Sequence, residues 1–168
     1  MMRLLVYMCV SLAVIEGTRA YVSRHAVSAL RQRHRRLSLA AVKYGGLHHC
    51  GILVSDVEQS KAFFMEVFGW EDESHLRPTT LPYPGAFLKI GPNQIHLMQL
   101  PNPDPTTGRP EHGGRDRHTA LTVNNIDVIK ERLESRGMVF TMSMSGRRAL
   151  FCRDRDGNAF EFMEDVSL

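Results

Sequence analysis

Along Leu47 to Val54 (LHHCGILV) the chain alternates in the manner of a β-strand, with Cys50, Ile52 and Val54 on one side and His49, Gly51 and Leu53 on the other. Asp56 follows as a helix N-cap and Gln59 completes a capping box. Val57, Phe63, Phe64, Val67 and Phe68 then recur at helical spacing, and Gly69 suits the left-handed residue that ends a helix. A loop over Arg77 to Gly85 leads to strands at Ala86 to Ile90 and Gln94 to Leu100, joined by Gly91-Pro92-Asn93. After a polar loop, Pro101 to Gly114, the order repeats. His118 to Val123 reads as a strand, Asn125 as a cap, Ile126 to Arg136 as a helix ending at Gly137, and Val139 to Met144 as a strand. Ala149 to Arg153 and Ala159 to Glu164 form a hairpin around Asp154 to Asn158.

The two halves superimpose in register. His49 lies seven residues before its cap Asp56, and His118 seven before Asn125. His96 and Glu161 each stand three residues after the Asn of a turn, Asn93 and Asn158. A period of this kind fixes architecture. Each half is expected to be one β-α-β-β-β unit, the two sheets curling toward each other in an α+β fold.

That register places four donor-type residues at matched positions. Side chains alternate across a strand, so the apolar residues of each first and last strand claim the helix-packed face. His49, His96, His118 and Glu161 fall on the opposite face. Three imidazoles and a carboxylate suit one divalent metal ion such as zinc, nickel, iron or manganese. His48 neighbours His49 but is expected on the other face of its strand. Arg115 and Arg117 immediately precede the strand of His118, and Arg148 lies on a loop; guanidinium groups suit a carboxylate or phosphate on a substrate. Gly113-Gly114 permits a close backbone approach. Asp154 to Asn158 resembles part of a calcium loop but is read as a hairpin turn.

Charge divides the chain. Residues 1–40 contain seven of the 21 Lys+Arg and one of the 18 Asp+Glu, which leaves the body with fourteen against seventeen, a net of −3. A mildly acidic body gives no support for a nucleic-acid partner. Arg3, the apolar run Leu4 to Ile15 and Thr18-Arg19-Ala20 read as a signal peptide over residues 1–20. Residues 21–42 are Arg- and Ser-rich and acid-poor, in the manner of a transit peptide. The two in series resemble the bipartite presequence of algae with complex plastids. Plastid delivery is expected, with a mitochondrial presequence as the alternative. The remaining domain, 43–168, needs no stable membrane association. Cys50 and Cys152 lack zinc or disulfide spacing and read as reduced, buried residues.

IHLMQLPNPDPTTGRPEHGGRDRH and SGRRALFCRDRDGNAFEF bring the body, from about Tyr44 to Asp165, into resemblance with the vicinal-oxygen-chelate superfamily. That superfamily has the glyoxalase/bleomycin resistance/dioxygenase fold; this chain looks most like the glyoxalase-I-like proteins of plastids and cyanobacteria. The resemblance implies a curved mixed β-sheet cup, one divalent metal, a small-molecule substrate and a homodimer. It places metal ligands at His49, His96, His118 and Glu161, with Glu161 also the catalytic base. It implies a lactoylglutathione-lyase-like reaction on a small oxo compound or its thiol adduct, with glutathione as cosubstrate. The alternatives are a dioxygenase or thiol transferase on the same scaffold, or a binder without turnover. True glyoxalase I resembles a site with Glu where this chain has His96. Extradiol dioxygenases and fosfomycin enzymes use two His and one Glu, which His49, His118 and Glu161 could supply.

Overall fold

The computed structural model describes residues 42–168; the signal- and transit-peptide expectations lie outside the described residues. The duplicated order is present throughout the body. β1 (His49–Leu53) leads into α1 (Val57–Phe63), which continues as a π-helical turn over Phe64–Phe68. Then come β2 (Glu71–Asp72), β3 (Gly85–Ile90) and β4 (Asn93–Met98). The second half is β5 (His118–Val123), α2 (Ile126–Glu134), β6 (Phe140–Met142), β7 (Ala149–Arg153) and β8 (Ala159–Glu164). Each half makes one four-stranded sheet, ordered β1-β4-β3-β2 and β5-β8-β7-β6. In both, the first strand runs parallel to the last and the others are antiparallel. The α+β fold of two βαβββ modules is thus present.

Local chemistry explains the boundaries. Asp56 caps α1 by accepting from the Gln59 backbone N–H at 2.9 Å, and the Gln59 side-chain amide returns to the same carboxylate at 2.8 Å. Gly69 ends the π-helical turn at φ 75°, a conformation that glycine adopts without a Cβ penalty. A regular α-helix was expected to run unbroken to Gly69. The wider π turn instead puts Phe64, Val67 and Phe68 all into the core. Asn125 caps α2 from its side-chain oxygen, reached by the Asp127 N–H at 2.9 Å. The two-residue β2 was not legible as a strand, because Glu71 and Asp72 are both exposed.

One apolar core joins the modules. Phe64 and Phe68 of the π-helical turn and Trp70 just beyond it meet Phe160 and Phe162 of β8, with ring centroids 4.7–5.8 Å apart. Fully burying side chains of this size stabilises by about 1.5–3 kcal/mol each. Cys50 on β1 touches Thr119 on β5, sulfur to hydroxyl at 3.3 Å, and Asn158 in the β7–β8 turn donates to the Leu53 carbonyl at 2.9 Å. These contacts hold the core-side faces of the two sheets together. The opposite faces carry the donor residues.

Candidate metal centre

On the second sheet, parallel pairing sets Ala120 of β5 opposite Glu161 of β8, so His118 and Glu161 share a face. His118 Nε2 stands 3.1 Å from Glu161 Oε2. The other ring nitrogen, Nδ1, lies 2.8 Å from the carbonyl oxygen of Asp116. A carbonyl only accepts, so Nδ1 carries the proton and Nε2 of the neutral ring carries a lone pair. Two lone-pair atoms therefore face each other, and only a cation between them, a proton or a metal, makes the contact attractive. Glu161 is buried, 8 % exposed, which sharpens its need for a positive partner.

Asp116 anchors this arrangement. Its carboxylate accepts from Arg109 Nε and Arg153 Nη2, both at 2.8 Å. Hydrogen bonding from Arg109 leads the causes that hold its carboxyl down at about 2. Both arginines also donate to the Gly157 carbonyl. The loop that delivers His118 is thus pinned to the β7–β8 turn.

The first sheet holds the matching pair, His49 and His96, in a different state. Their rings stack with centroids 4.0 Å apart and planes 10° from parallel. Phe87 of β3 stacks on His96 at 3.6 Å and 8°. His96 Nε2 lies 2.9 Å from Gln94 Oε1, and Gln94 Nε2 lies 2.7 Å from Glu73 Oε2. Burial, then the neighbouring His49 and His48, lower the His96 pKa to about 4. The Phe position repeats too. Phe151 of β7 pairs with Glu161 as Phe87 pairs with His96, and it meets the His118 ring edge-on at 5.5 Å.

The four sequence-identified donors therefore form two pairs, one per sheet. Among the described residues, no group of three or more His, Cys, Asp and Glu is disposed to hold a metal ion. The residues at hand still fit a divalent cation. His118 and Glu161 present opposed lone pairs, and His49 uses only Nδ1, 2.8 Å from His48 Nδ1.

Three expectations are corrected. His48 was expected on the far face of β1, but the strand begins at His49, so alternation does not govern His48, and its ring packs edge-on against that of His49. Arg148 was expected to serve a substrate. It is bound instead by Glu164, at 2.9 and 3.0 Å, and by Asp127 at 2.8 Å. Glu164 is three residues from Glu161 and thus on the other, core-side face, where its carboxylate also caps α2 through the Ile126 N–H. Cys50 was expected to be buried and is partly exposed, whereas Cys152 is buried and its thiol is pushed up to about 12 by burial.

Other positions are settled by contact. Arg117 pairs with Asp104 at 2.6 Å. Arg115 is exposed at the end of the short helical turn Gly113–Arg115. Gly113 and Gly114 lie against Phe151, where an added Cβ would come within 2.9 Å of that side chain in each case. Asp154 accepts from its own turn, Asp156 and Asn158, and shapes a hairpin rather than a calcium loop. Sequence reading did not single out Asp116, Gln94, Glu73, Phe87 or Phe151. Gln94 and Asp116 each stand two residues before a donor histidine, a spacing that could have drawn attention to them.

Residues 46–162 match the family model described as Glyoxalase/Bleomycin resistance protein/Dioxygenase superfamily. The chain belongs to that superfamily. Among curated relatives, the uncharacterized protein YwkD of Bacillus subtilis is 31% identical over 123 residues, 70% of this chain and 95% of its own. Glyoxylase I 4 of Arabidopsis thaliana is 26% identical, covering 73% of this chain and 72% of that protein. Among solved structures, a glyoxalase-family protein from Bacillus anthracis aligns with a TM-score of 0.62 at 24% identity, over 75% of this chain and 99% of that one. A variant of the fosfomycin resistance protein FosX from Listeria monocytogenes, complexed with Mn(II) and 1S,2S-dihydroxypropylphosphonic acid, aligns with a TM-score of 0.58 at 22% identity. The alignment covers 73% of this chain and 93% of FosX. These likenesses support the fold.

Proposed function

We propose that this chain is a metal-dependent, glyoxalase-I-like enzyme that moves a proton within a small oxo compound or its glutathione adduct. The observation that carries the reading is the His118–Glu161 contact. The Asp116 carbonyl fixes the His118 tautomer, and the two atoms left facing each other both need a cation. His118, Glu161 and His49 would hold the ion. When bound, a divalent metal polarises substrate oxygens and stabilises the negative charge that develops on them. Glu161 accepts the proton from the carbon beside the carbonyl and returns it to the neighbouring carbon, so the step is an isomerisation with no net proton change. Arg115, exposed beside the His118 strand, suits a substrate carboxylate.

The relative Glyoxylase I 4 supports the lyase reading by its name. A dioxygenase or thiol-transferase reading draws on His96, which leaves Glu161 as the single carboxylate among the four donors. Metal analysis of the body, then turnover of methylglyoxal with glutathione in each metal form, tests the proposal. Binding of zinc, nickel, iron or manganese with hemithioacetal isomerisation is the expected result. Oxygen uptake with iron points to the dioxygenase. A wild-type protein that binds no divalent metal ends the proposal.

We also read the chain as a plastid protein acting as a homodimer, with the mitochondrion as the alternative address. Residues 1–42 fused to a fluorescent protein test the address. Mixing His49→Ala and His118→Ala chains tests the dimer: metal binding returns in the mixed species if each site draws on both chains.

A further inference from the structure

We infer that His96 is not a metal ligand but a positioning residue, a ring that holds the plane of His49. The inference rests on the metal reading above and narrows its donor set to His49, His118 and Glu161. The lone pair of an imidazole nitrogen lies in the plane of its ring. The planes of His49 and His96 are only 10° from parallel and their centroids are 4.0 Å apart. An ion bound in the plane of His49, at the roughly 2.0–2.1 Å of a metal–imidazole bond, lies well off the plane of His96. The two rings as placed cannot share a cation.

The rest of the surroundings keep His96 where it is. Phe87 covers its second face at 3.6 Å, so turning the ring toward an ion would open two stacks. Its Nε2 is also occupied. Glu73 only accepts, so the amide nitrogen of Gln94 must point to Glu73 and the amide oxygen to His96. His96 is therefore the donor at Nε2. A relay of carboxylate, amide and imidazole fixes its tautomer and tilt, and through the stack fixes His49. Phe87, His96 and His49 form one column that hands the orientation on.

The test substitutes shape for chemistry. His96→Phe keeps the column and removes both ring nitrogens; His96→Ala removes the column. Zinc binding by the full-length protein is measured by titration. His96→Phe should keep wild-type stoichiometry and an affinity close to wild type. His96→Ala and Gln94→Leu should weaken affinity, His96→Ala by roughly tenfold to a hundredfold, as loss of an orienting partner does. In the cobalt-substituted protein, two imidazole N–H resonances with the large contact shift of a directly bound ring are expected. Loss of zinc from His96→Phe as complete as from His49→Ala, or a contact-shifted resonance that disappears in His96→Phe, overturns the inference and leaves the metal reading intact. Nitrogen-15 spectra of the metal-free protein should show His96 protonated at Nε2 and bare at Nδ1. The reverse tautomer overturns the inference whether or not a metal binds.

Discussion

The two sheets carry the same register and opposite chemistry. In each, a first-strand histidine lies near a last-strand partner on the face away from the shared core, with a phenylalanine from the third strand beside it. In the first sheet the partner is His96, and three flat rings close into a column in which His96 donates to Gln94 and Gln94 in turn donates to Glu73. In the second the partner is Glu161, the phenylalanine stands edge-on, and two lone pairs are left opposed. On the proposed reading, one residue identity at one repeat position decides whether a half supplies two ligands or one ligand and its support. The scaffold supplies places, and the side chain at each place decides whether it is a ligand or a wall.

If that contrast is right, equal substitutions in the two halves have unequal effects. Glu161→Gln removes both the charge and the base. It is expected to cut turnover by about 10²–10⁴-fold, the usual scale for a general base. It should also weaken metal binding, read by titration. His96→Gln should leave metal stoichiometry unchanged and reduce turnover far less. Equal losses in the two variants would show that the halves contribute alike.

Phe151 offers the next comparison. Gly113 and Gly114 approach it so closely that Gly114→Ala places a Cβ 2.9 Å from the ring tip and 3.1 Å from the His112 ring. The loop must move, at a cost of about 1–3 kcal/mol, and His118 moves with it. Gly51→Ala on β1 meets only the mobile end of Met98 at 3.0 Å, and the equivalent position on β5 is already Ala120. Thermal unfolding and metal titration should both show Gly114→Ala as the damaging change and Gly51→Ala as near neutral. Comparable effects would mean that the loop over Phe151 does not hold the site.

This contrast was only half legible in the sequence. Alternation within β1, β5 and β8 was strong enough to give the faces, and the seven-residue spacing from each histidine to its cap gave the pairing of halves. What periodicity cannot carry is ring orientation. His49 and His96 occupy the expected face, yet stacking on Phe87 sets their planes, and that depends on a strand neighbour nine residues from His96. Arg148 was misread for a related reason. A basic loop residue looks alike whether it awaits a substrate or binds Glu164, and only the register of β8 tells which face it serves. The π turn at Phe64–Phe68 was invisible because its apolar spacing also satisfies an ordinary helix.

The smallest effect separates the two hairpin turns. Gly91-Pro92-Asn93 in the first half has no acid, whereas Asp154 in the second is buried within its turn. Burial raises the Asp154 pKa to about 6, against the hydrogen bonds from Asn158 that lower it. A folded pKa above the unfolded value means that the unfolded chain releases this proton first as pH rises. The contribution is fully present below about pH 4, declines as pH rises through about 6 and is flat beyond, a loss on the order of 3 kcal/mol. Asp116 has the opposite sign. Its folded pKa of about 2 gives a contribution that is present above about pH 4 and is lost as pH falls toward 2. Over the same window His96 works in the opposite sense, since its folded pKa of about 4 lies below the ordinary imidazole value and its contribution grows as pH rises. Denaturant unfolding across pH 4 to 7 should therefore show stability rising with pH more steeply in Asp154→Asn than in wild type, while acid unfolding below pH 4 is unchanged. If the two proteins show the same slope, the buried turn contributes nothing to it, and the two hairpins differ in sequence without differing in pH response.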